Sequence, residues 1–464
     1  MFIGREREMA ELERRYRQAG FGFPVIYGRR RVGKTRLLQE FIKGKRAVYF
    51  MATEQGEREQ RHAFSMALRE QLPETQLAGD FASWDDLFRY VTELARTQRL
   101  VLVIDEFPYL AKAVTGIASL LQKYIDHVWQ DTQLFLILCG SSMSFMERQV
   151  LGYKSPLYGR RTAQLKLHPL PYYESVRFFP TWPAEEQLLA YGVCGGIPQY
   201  LTFFSRYASL QEAVCEEFLS LGGYLQEEPE NLMLQELREP AVYNSILTAV
   251  AHGASRQNDI ATAVGRTGSQ ITFYLNNLQS LELLTRQVPV ESKNSRKAIY
   301  VIADNLYRFW YRFMPECATL IAMGMGERAW QARIAPQLSE YFGHVFEDIA
   351  MQYVQAQVRQ GTIPELYTTY GHWWGNNPRQ KREEEIDLVC TNETDILCGE
   401  CKWRNEPVGL SVLTTLQERA ALIQRQRRLH LMLFAKSSFT LELQQAAAEK
   451  EIQLVTLRDL LALC

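Results

Sequence analysis

The segment FPVIYGRRRVGKTRLLQEF, residues 23–41, decides how the first part of this chain folds. It contains the spacing Gly28-x4-Gly33-Lys34-Thr35, with an apolar strand before it and a periodic apolar helix after it. Strand, glycine-rich loop and helix in this order are the context that a phosphate-binding loop requires. In such a loop the backbone N–H groups and the helix N-terminus face a triphosphate. The segment therefore predicts an ATP site on a parallel sheet.

The side chains of this loop predict how the nucleotide and its metal are held. Lys34 is expected to reach the β and γ phosphates, and the Thr35 hydroxyl to ligate Mg²⁺. The three consecutive arginines could contact phosphate or a neighbouring subunit, or they could be solvated. The predicted nucleotide-binding residues of the loop are Gly28, Arg29, Arg30, Arg31, Val32, Gly33, Lys34, Thr35 and Arg36.

A second segment, RLVLVIDEFPYL at 99–110, is a continuous apolar run that ends in two acids. Continuous apolar runs are typical of strands that are covered on both faces. Asp105 is placed to hold the magnesium, directly or through water. Glu106 is placed to polarise the attacking water as a general base.

A third strand, QLFLILCGSS at 133–142, ends in two serines. In P-loop ATPases that insert an extra strand, a polar residue at this point senses the γ-phosphate. Either Ser141 or Ser142 could do so, and either could be a cap at the end of the strand. Ser141 is the candidate that we name first, and Ser142 stays the alternative.

The whole chain has the composition of a folded protein with several domains. Its 464 residues exceed what one hydrophobic core normally serves, so we expect about two to four domains. The formal net charge is −1, so affinity for nucleic acid has to come from local basic patches. The N-terminal residues lack the apolar core of a signal peptide, and no run approaches the roughly 18 apolar residues of a membrane span. We expect a cytoplasmic protein with no membrane partner.

Several segments, in their order along the chain, resemble the archaeal-type ATPases of the STAND class. These proteins are relatives of AAA proteins and act mostly as nucleotide switches. The resemblance implies that Arg160 or Arg161 lies near the γ-phosphate as an arginine finger, although a surface position is the alternative. It also implies that the turn at 195–198 belongs to a helical lid that couples to the nucleotide. The segments are FIGREREMAEL, the phosphate loop, VIDEFPYL, LCGSSMSFM, SPLYGRRTAQLKLHPL and CGGIPQYL.

The middle of the chain shows the order of a winged helix: a helix, a helix–turn–helix and a basic hairpin. Between 241 and 303 there are six Lys or Arg against three Asp or Glu, which suits contact with DNA phosphates. Winged helices also serve as protein–protein modules. In the third helix, four apolar residues recur at the spacing of a buried face: Ile271, Tyr274, Leu275 and Leu278. The residues left for the outer face of this helix are Ser269, Gln270, Thr272, Phe273 and Asn276. The basic residues of the wing are Arg286, Lys293, Arg296 and Lys297.

Near the end of the chain, GECKW at 399–403 follows an apolar run and places Glu400 and Lys402 on one side of a strand. The strand before it carries Asp387, and a helix further upstream carries Glu347. Two carboxylates that come close repel each other unless a divalent cation lies between them. We therefore predict Mg²⁺ at Asp387 and Glu400, with Glu347 reaching it through water and Lys402 orienting the nucleophile or stabilising phosphate oxygens.

This order of residues resembles the PD-(D/E)XK nuclease core, with the E-x-K element intact as Glu400-Cys401-Lys402. The resemblance implies a catalytic role for Asp387, Glu400 and Lys402. The alternative is a salt-bridged strand pair in a degenerate, non-cleaving domain. The nearby segment 371–381 is expected to form the hairpin turn above the site and to stack on bases or hold the backbone, with Trp373 and Trp374 in the core as the alternative. The segment 422–430 is expected to place Arg425, Arg427 and Arg428 on a helix, where they contact the nucleic-acid backbone or face solvent.

The sequence thus predicts a multidomain α/β protein whose ATP-dependent switch controls a DNA-binding, Mg²⁺-dependent nuclease-like domain. Its partners would be ATP, DNA and possible protein partners, including further copies of the chain. A non-cleaving ATP-dependent regulator is the second hypothesis. The expected domains are a P-loop ATPase (1–170), a helical lid (171–236), a winged helix (237–303), linker helices (304–335) and an α/β restriction-endonuclease-like domain (336–464).

Overall fold

The structure is a computed structural model that describes residues 2–73, 79–292, 297–378 and 380–463. The chain forms two compact units. Met1–Pro169 and Ile197–Gln199 make the first, and Leu170–Gly196 and Tyr200–Cys464 make the second. Within the described ranges, no helix combines the length and the apolar character needed to cross a bilayer.

The first unit is built on a five-stranded parallel sheet. Its strands are β1 (Pro24–Tyr27), β2 (Ala47–Met51), β3 (Leu100–Asp105), β4 (Leu134–Gly140) and β5 (Ala163–Lys166). They lie in the order β2-β3-β4-β1-β5, and every residue of β1, β3 and β4 is buried. The helices are α1 (Glu6–Tyr16), α2 (Lys34–Ile42), α3 (Glu57–Gln71), α4 (Trp84–Thr97), α5 (Phe107–Ala113), α6 (Ile117–His127) and α7 (Met143–Phe145).

The position of β4 between β1 and β3 is the feature of this sheet that creates the site. It confirms the predicted insertion of an extra strand between the phosphate-loop strand and the acidic strand. Because all three strands are parallel, their carboxyl ends meet at one edge of the sheet. That edge brings together the phosphate loop, Asp105 and the residues that follow Gly140.

The second unit begins with helices. They are α8 (Tyr172–Ser175), α9 (Ala184–Cys194), α10 (Pro198–Phe204), α11 (Leu210–Glu217) and α12 (Glu228–Glu236). The first residues of α10 fall in the first unit, so the chain passes between the units around the turn at 195–198.

Three helices and a two-stranded antiparallel hairpin follow, in the predicted order. They are α13 (Pro240–Ala251), α14 (Gln257–Val264), α15 (Gly268–Ser280), β6 (Leu284–Gln287) and β7 (Ile299–Ile302). The four residues of α15 that were expected in the core are buried, and the five expected on its outer face are exposed. Arg286 and Lys297 are exposed, whereas Lys293 and Arg296 lie outside the described residues.

The remainder of the second unit carries a mixed five-stranded sheet. Strands β8, β9 and β10 are antiparallel, while β10, β11 and β12 are parallel and connected through α19 and α20. The elements are α16 (Asn305–Ala322), α17 (Gly326–Ala329), α18 (Leu338–Gln360), β8 (Thr369–Asn377), β9 (Arg382–Thr391), β10 (Asp395–Lys402), α19 (Leu410–Ala420), β11 (Arg428–Ala435), α20 (Leu441–Glu449), β12 (Gln453–Thr456) and α21 (Leu457–Leu461).

Two predictions of local structure in this part were wrong. Most of the segment 371–381 belongs to β8, because eight of the nine residues of this strand pair with β9; the turn begins only after Asn377. The arginines in 422–430 do not lie on a helix, because α19 ends at Ala420 and β11 begins at Arg428.

Helix α9 is joined closely to α18 within the second unit. The Tyr341 hydroxyl donates to the Gly192 carbonyl at 2.7 Å, and Gln352 Nε2 donates to the Tyr191 hydroxyl at 2.9 Å. A Cβ on Gly192 would come within 2.5 Å of the ring of Phe342, which is fully buried. Glycine at this position therefore allows the close approach of the two helices.

We expect Gly192→Ala to destabilise the second unit by about 1–3 kcal/mol, because the buried ring of Phe342 has little room to move. Chemical denaturation of the purified protein measures this change. Gly343→Ala is the matched control, since no atom lies within 4 Å of a Cβ built there. That change should stabilise α18 by about 0.5–1 kcal/mol. Equal stability of the two variants would contradict the close packing.

Candidate functional site

The phosphate loop, Gly28–Thr35, connects β1 to α2 in a conformation that favours glycine at two positions. Gly28 has φ +155° and Gly33 has φ +94°. A Cβ on Gly28 would also collide with the carbonyl of Leu167. Residues 197–199 belong to the same unit, and Pro198 lies 3.6 Å from the position of a Cβ on Gly33. The turn predicted to belong to the lid therefore packs on the phosphate loop.

Lys34 is buried and spans the inside of the loop. Its Nζ donates to the carbonyls of Gly28 and Arg29, each at 2.8 Å. Burial lowers the pKa of Lys34, and the nearby charges of Glu106 and Asp105 act in the opposite direction. The two backbone carbonyls thus supply the hydrogen-bond partners that this buried ammonium group requires.

Thr35 and Asp105 meet at the edge of the sheet, as predicted. Thr35 Oγ1 donates to Asp105 Oδ2 at 2.8 Å, and Asp105 is fully buried. The Tyr49 hydroxyl, at the end of the neighbouring strand β2, also donates to Asp105. Hydroxyl and carboxylate oxygens are the donors that Mg²⁺ prefers, so these residues fit the metal of an ATP complex. Tyr49 belongs to no motif, and sequence reasoning missed it.

Glu106 lies directly after Asp105 and is held by Ser141. Ser141 Oγ donates to Glu106 Oε2 at 2.8 Å, and the Ser141 N–H donates to the same oxygen at 3.1 Å. Glu106 has φ +51°, which turns it out of the strand direction. Ser142 instead precedes α7. Of the two serines, Ser141 is therefore the one that contacts the predicted general base.

The predicted arginines take different positions. Arg160 forms a bidentate ion pair with Asp126, in which Nε and a terminal nitrogen each lie 2.7 Å from a carboxylate oxygen. This arrangement is the surface position that the sequence analysis gave as the alternative to an arginine finger. Arg36 is half exposed and lies 3.8 Å from Glu40. Arg30 donates to the Tyr109 hydroxyl at 3.4 Å.

Arg5 was missed by sequence reasoning although it supports the loop directly. Its side chain is buried and donates to the carbonyls of Val32 at 2.9 Å and His168 at 2.6 Å. The only sequence feature that could have indicated this role is the position of Arg5 directly after a glycine in the segment FIGRE. A charged side chain in a short apolar context is more often solvated, so the pattern gave no reason to place it under the loop.

A second group of predicted residues meets in the other unit, between β9 and β10. The regular pairing of these strands extends to Leu388 and Gly399. Beyond this point, Asp387 Oδ2 accepts the N–H of Cys401 at 2.8 Å. The Asp387 side chain thus accepts the hydrogen bond that a backbone carbonyl would accept in regular pairing. This contact holds the Asp387 carboxylate beside Glu400.

Glu400 is buried and receives hydrogen bonds from two cations. Lys402 Nζ donates to Glu400 Oε1 at 2.7 Å, as the alternation along the strand predicts. Arg419 of α19 donates to both oxygens of Glu400 at 3.3 Å and to the buried Glu384 at 2.9 Å. Sequence reasoning missed Arg419 and Glu384, because their contact joins residues far apart in the chain.

The carboxylates of Asp387, Glu400 and Glu347 interact strongly. Burial, followed by the charges of Glu400 and Glu347, raises the pKa of Asp387 to about 8. Two histidines face Glu347, with His344 Nδ1 at 3.4 Å and His372 Nδ1 at 4.0 Å. Carboxylates that lie close enough to repel each other are arranged as ligands of a divalent cation would be. The three predicted ligands therefore fit a Mg²⁺ site.

The raised pKa of Asp387 makes the effect of magnesium dependent on pH. Between its ordinary value near 4 and about 8, folded Asp387 keeps a proton that the unfolded chain has released, so stability from this group falls as pH rises. A Mg²⁺ ion at this site would require the ionised form of Asp387 and would displace that proton. We expect Mg²⁺ without nucleotide to raise Tm more at about pH 9 than at about pH 6. Asp387→Asn should remove this difference; an equal shift of Tm at both pH values in the unsubstituted protein would contradict it.

The sheet order, the phosphate loop and the acid pair together define the first unit as a P-loop ATPase. Residues 2–204 match the model of an ATPase domain found predominantly in Archaea. The Walker-type ATPase of Pyrococcus abyssi has a similar fold, with a TM-score of 0.50 and 23% identity over 67% of this chain and 96% of that one. The chain therefore contains an ATP-binding ATPase domain.

The rest of the chain matches proteins without an assigned activity. Residues 310–420 match a family described as "Archaea bacterial proteins of unknown function". An uncharacterized protein of Methanocaldococcus jannaschii is 33% identical over 408 residues, which cover 87% of this chain and 88% of that protein. The chain belongs to the same family as this archaeal protein.

Proposed function

We propose that this protein is an ATP-dependent switch that controls a Mg²⁺-dependent, nucleic-acid-cleaving site in its C-terminal domain. The observation that carries the proposal is the attachment of α9 to α18. Helix α18 supplies Glu347 to the acidic site, and α9 leads directly into the turn whose Pro198 packs on the phosphate loop. A displacement of this turn would therefore act on the helix that carries one of the three carboxylates.

The chemistry of the acidic site suits hydrolysis of a phosphodiester. Magnesium held by Asp387 and Glu400 would activate water and neutralise the charge of the phosphate. Lys402 is positioned on the same side as Glu400 to stabilise the negative charge that develops on the phosphate oxygens. The mixed sheet, with antiparallel strands before Lys402 and a helical crossover after it, supports the PD-(D/E)XK resemblance.

Control by ATP would begin at the phosphate loop. Lys34 exchanges its two carbonyl partners for phosphate when nucleotide binds, and the loop that contacts Pro198 adjusts to the new ligand. Gly195 and Gly196 connect the end of α9 to this turn. The contacts of α9 with Tyr341 and Gln352 then transmit the change to α18. Such a switch requires the two arrangements to differ in their affinity for ATP.

DNA is the proposed substrate, bound in part by the winged-helix module. The exposed face of α15 presents Gln270, Asn276 and Phe273, the last of which is 62% exposed. Amide side chains and an aromatic ring on a helix face could contact bases in a groove. Arg286 and Lys297 on the hairpin add positive charge for the backbone.

A second candidate function is favoured by one contact of the acidic site. Glu400 accepts from both Lys402 and Arg419, so its negative charge is compensated without a metal. In this alternative the C-terminal domain binds nucleic acid but does not cleave it, and ATP controls assembly on DNA.

Incubation of the purified protein with linear, circular and single-stranded DNA, and with RNA, separates the two functions. Each substrate is tested with Mg²⁺ or Mn²⁺, with and without ATP. Metal-dependent cleavage supports the switch-controlled nuclease. Binding of DNA that never leads to cleavage, beside normal ATP hydrolysis, supports the non-cleaving regulator.

A further inference from the structure

A separate cluster of possible metal ligands lies at the opposite end of β10 from the acidic site. Glu365, Asp395 and His430 each present one ligand atom, and these atoms all lie within 4.8 Å of one another. His430 Nε2 is 3.0 Å from Asp395 Oδ1 and 3.7 Å from Glu365 Oε1. Asp395 begins β10 and Lys402 ends it, so at about 3.3 Å per residue the two sites are roughly 20 Å apart.

The backbone holds the ligands of this cluster in place. Asp395 and His430 lie near the starts of the paired parallel strands β10 and β11. The Asp395 carboxylate also accepts the Thr394 hydroxyl at 2.6 Å, and its N–H donates to the side chain of Asn392 at 2.6 Å. Glu365 comes from the segment before β8 and its side chain is 15% exposed. The positions of these donors are therefore fixed by the fold.

Tyr367 gives a second, independent indication of a ligand. It is 6% exposed, and its hydroxyl is buried without a hydrogen-bond partner among the described residues. Tyr367 lies two residues after Glu365, in the same segment before β8. A buried hydroxyl without a hydrogen-bond partner destabilises the folded state. A cation between the carboxylates, or water on that cation, would satisfy it.

Arg428 is a further polar group in contact with the cluster. Its Nε donates to Asp395 Oδ1 at 2.8 Å, and its terminal nitrogen lies 3.7 Å from Glu365 Oε1. The Arg428 side chain is 69% exposed, so it can move into solvent when another cation takes its place beside the buried Asp395. Arg428 therefore acts as a replaceable counter-ion for the two carboxylates.

We propose that Glu365, Asp395 and His430, together with the Tyr367 hydroxyl, bind a divalent transition metal such as Zn²⁺ or Mn²⁺. An imidazole nitrogen beside carboxylate and phenol oxygens suits these ions better than Mg²⁺, which prefers oxygen ligands and water. The ion would join the segment before β8 to the starts of β10 and β11. It would act as a structural clamp of the C-terminal sheet, whether or not that domain cleaves nucleic acid.

Calorimetric titration of the metal-free, full-length protein with Zn²⁺ and Mn²⁺ tests the site. All variants carry Asp387→Asn to weaken binding at the acidic site. His430→Gln should weaken binding by more than the roughly 10–100-fold typical of losing an outer-sphere partner. Arg428→Ala should tighten binding, because it removes a competing cation. Glu393→Gln, an exposed neighbour, should leave binding unchanged.

The Arg428→Ala variant makes the test decisive. A pure ion-pair network predicts no stoichiometric binding of metal in the parent protein and none after Arg428→Ala, and that result would overturn the proposal. Binding that persists unchanged in His430→Gln would also overturn it. Circular dichroism of His430→Gln without metal shows whether the variant is folded, and Glu365→Gln repeats the test from another element if it is not.

Discussion

Glu106→Gln is expected to lower the rate of ATP hydrolysis by about 10²–10⁴-fold while ATP binding persists, because the amide cannot accept the proton of the attacking water. The amide keeps the size of the side chain and still offers Ser141 an acceptor oxygen. Lys34, Thr35 and Asp105 are untouched, so the contacts proposed for the phosphates and Mg²⁺ remain. Steady-state release of phosphate and the binding of a fluorescent ATP analogue measure the two effects separately.

Glu93→Gln is the matched control, because Glu93 is an exposed residue of α4 whose contact is an ion pair with Arg96 at 3.5 Å. It should hydrolyse ATP at the unsubstituted rate. Ser141→Ala should reduce hydrolysis less than Glu106→Gln, because it removes a contact of the base but not the base itself. Normal hydrolysis by Glu106→Gln would assign the base to another residue.

Asp387→Asn is expected to reduce metal-dependent cleavage of DNA to background. The substitution removes one charge from the pair of carboxylates that holds the metal, while the amide oxygen can still accept the Cys401 N–H. Because Asp387 is proposed to bind the metal directly, its loss should lower activity by more than the roughly 10–100-fold that follows the loss of an outer-sphere partner. Cleavage of a labelled DNA substrate at saturating Mg²⁺, with ATP hydrolysis measured in parallel, gives the size of the effect.

Glu385→Gln serves as the control for this substitution, since Glu385 is an exposed acid of the same strand β9. It should cleave normally. Lys402→Gln should also abolish cleavage, because it removes the positive charge that faces the phosphate. If Asp387→Asn and Lys402→Gln cleave as well as the unsubstituted protein, any observed nuclease activity belongs to another site or to a contaminant.

The ATP site was largely predictable because local sequence determines it. The phosphate loop, Asp105 and Ser141 each follow a strand whose apolar run is visible in the sequence, and parallel strands bring their carboxyl ends to one edge. Tyr49 and Arg5 could not be placed in the same way. Their roles depend on which strand lies beside β3 and on which loop covers the N-terminal segment, and neither is encoded by a local pattern.

The grouping of Asp387, Glu400 and Lys402 was predictable from the sequence, but the residues that surround them were not. The spacing of Glu400 and Lys402 places both on one side of β10, whereas Arg419 arrives through the packing of α19 on the sheet. The segment 371–381 was mistaken for a turn because of its glycines, asparagines and proline. Its pairing with the acidic segment of β9 extends the strand to Asn377, so long-range pairing overrides local preference.

The dependence of DNA cleavage on nucleotide is the most direct test of the proposal that ATP controls the C-terminal site. The rate of cleavage of one labelled DNA substrate is measured with ATP, with ADP and without nucleotide, for the unsubstituted protein and for Lys34→Ala. The switch predicts that ATP changes the rate for the unsubstituted protein and leaves the rate for Lys34→Ala unchanged. Cleavage that is the same with ATP, with ADP and without nucleotide in both proteins would show that the two sites work independently, and would contradict the account.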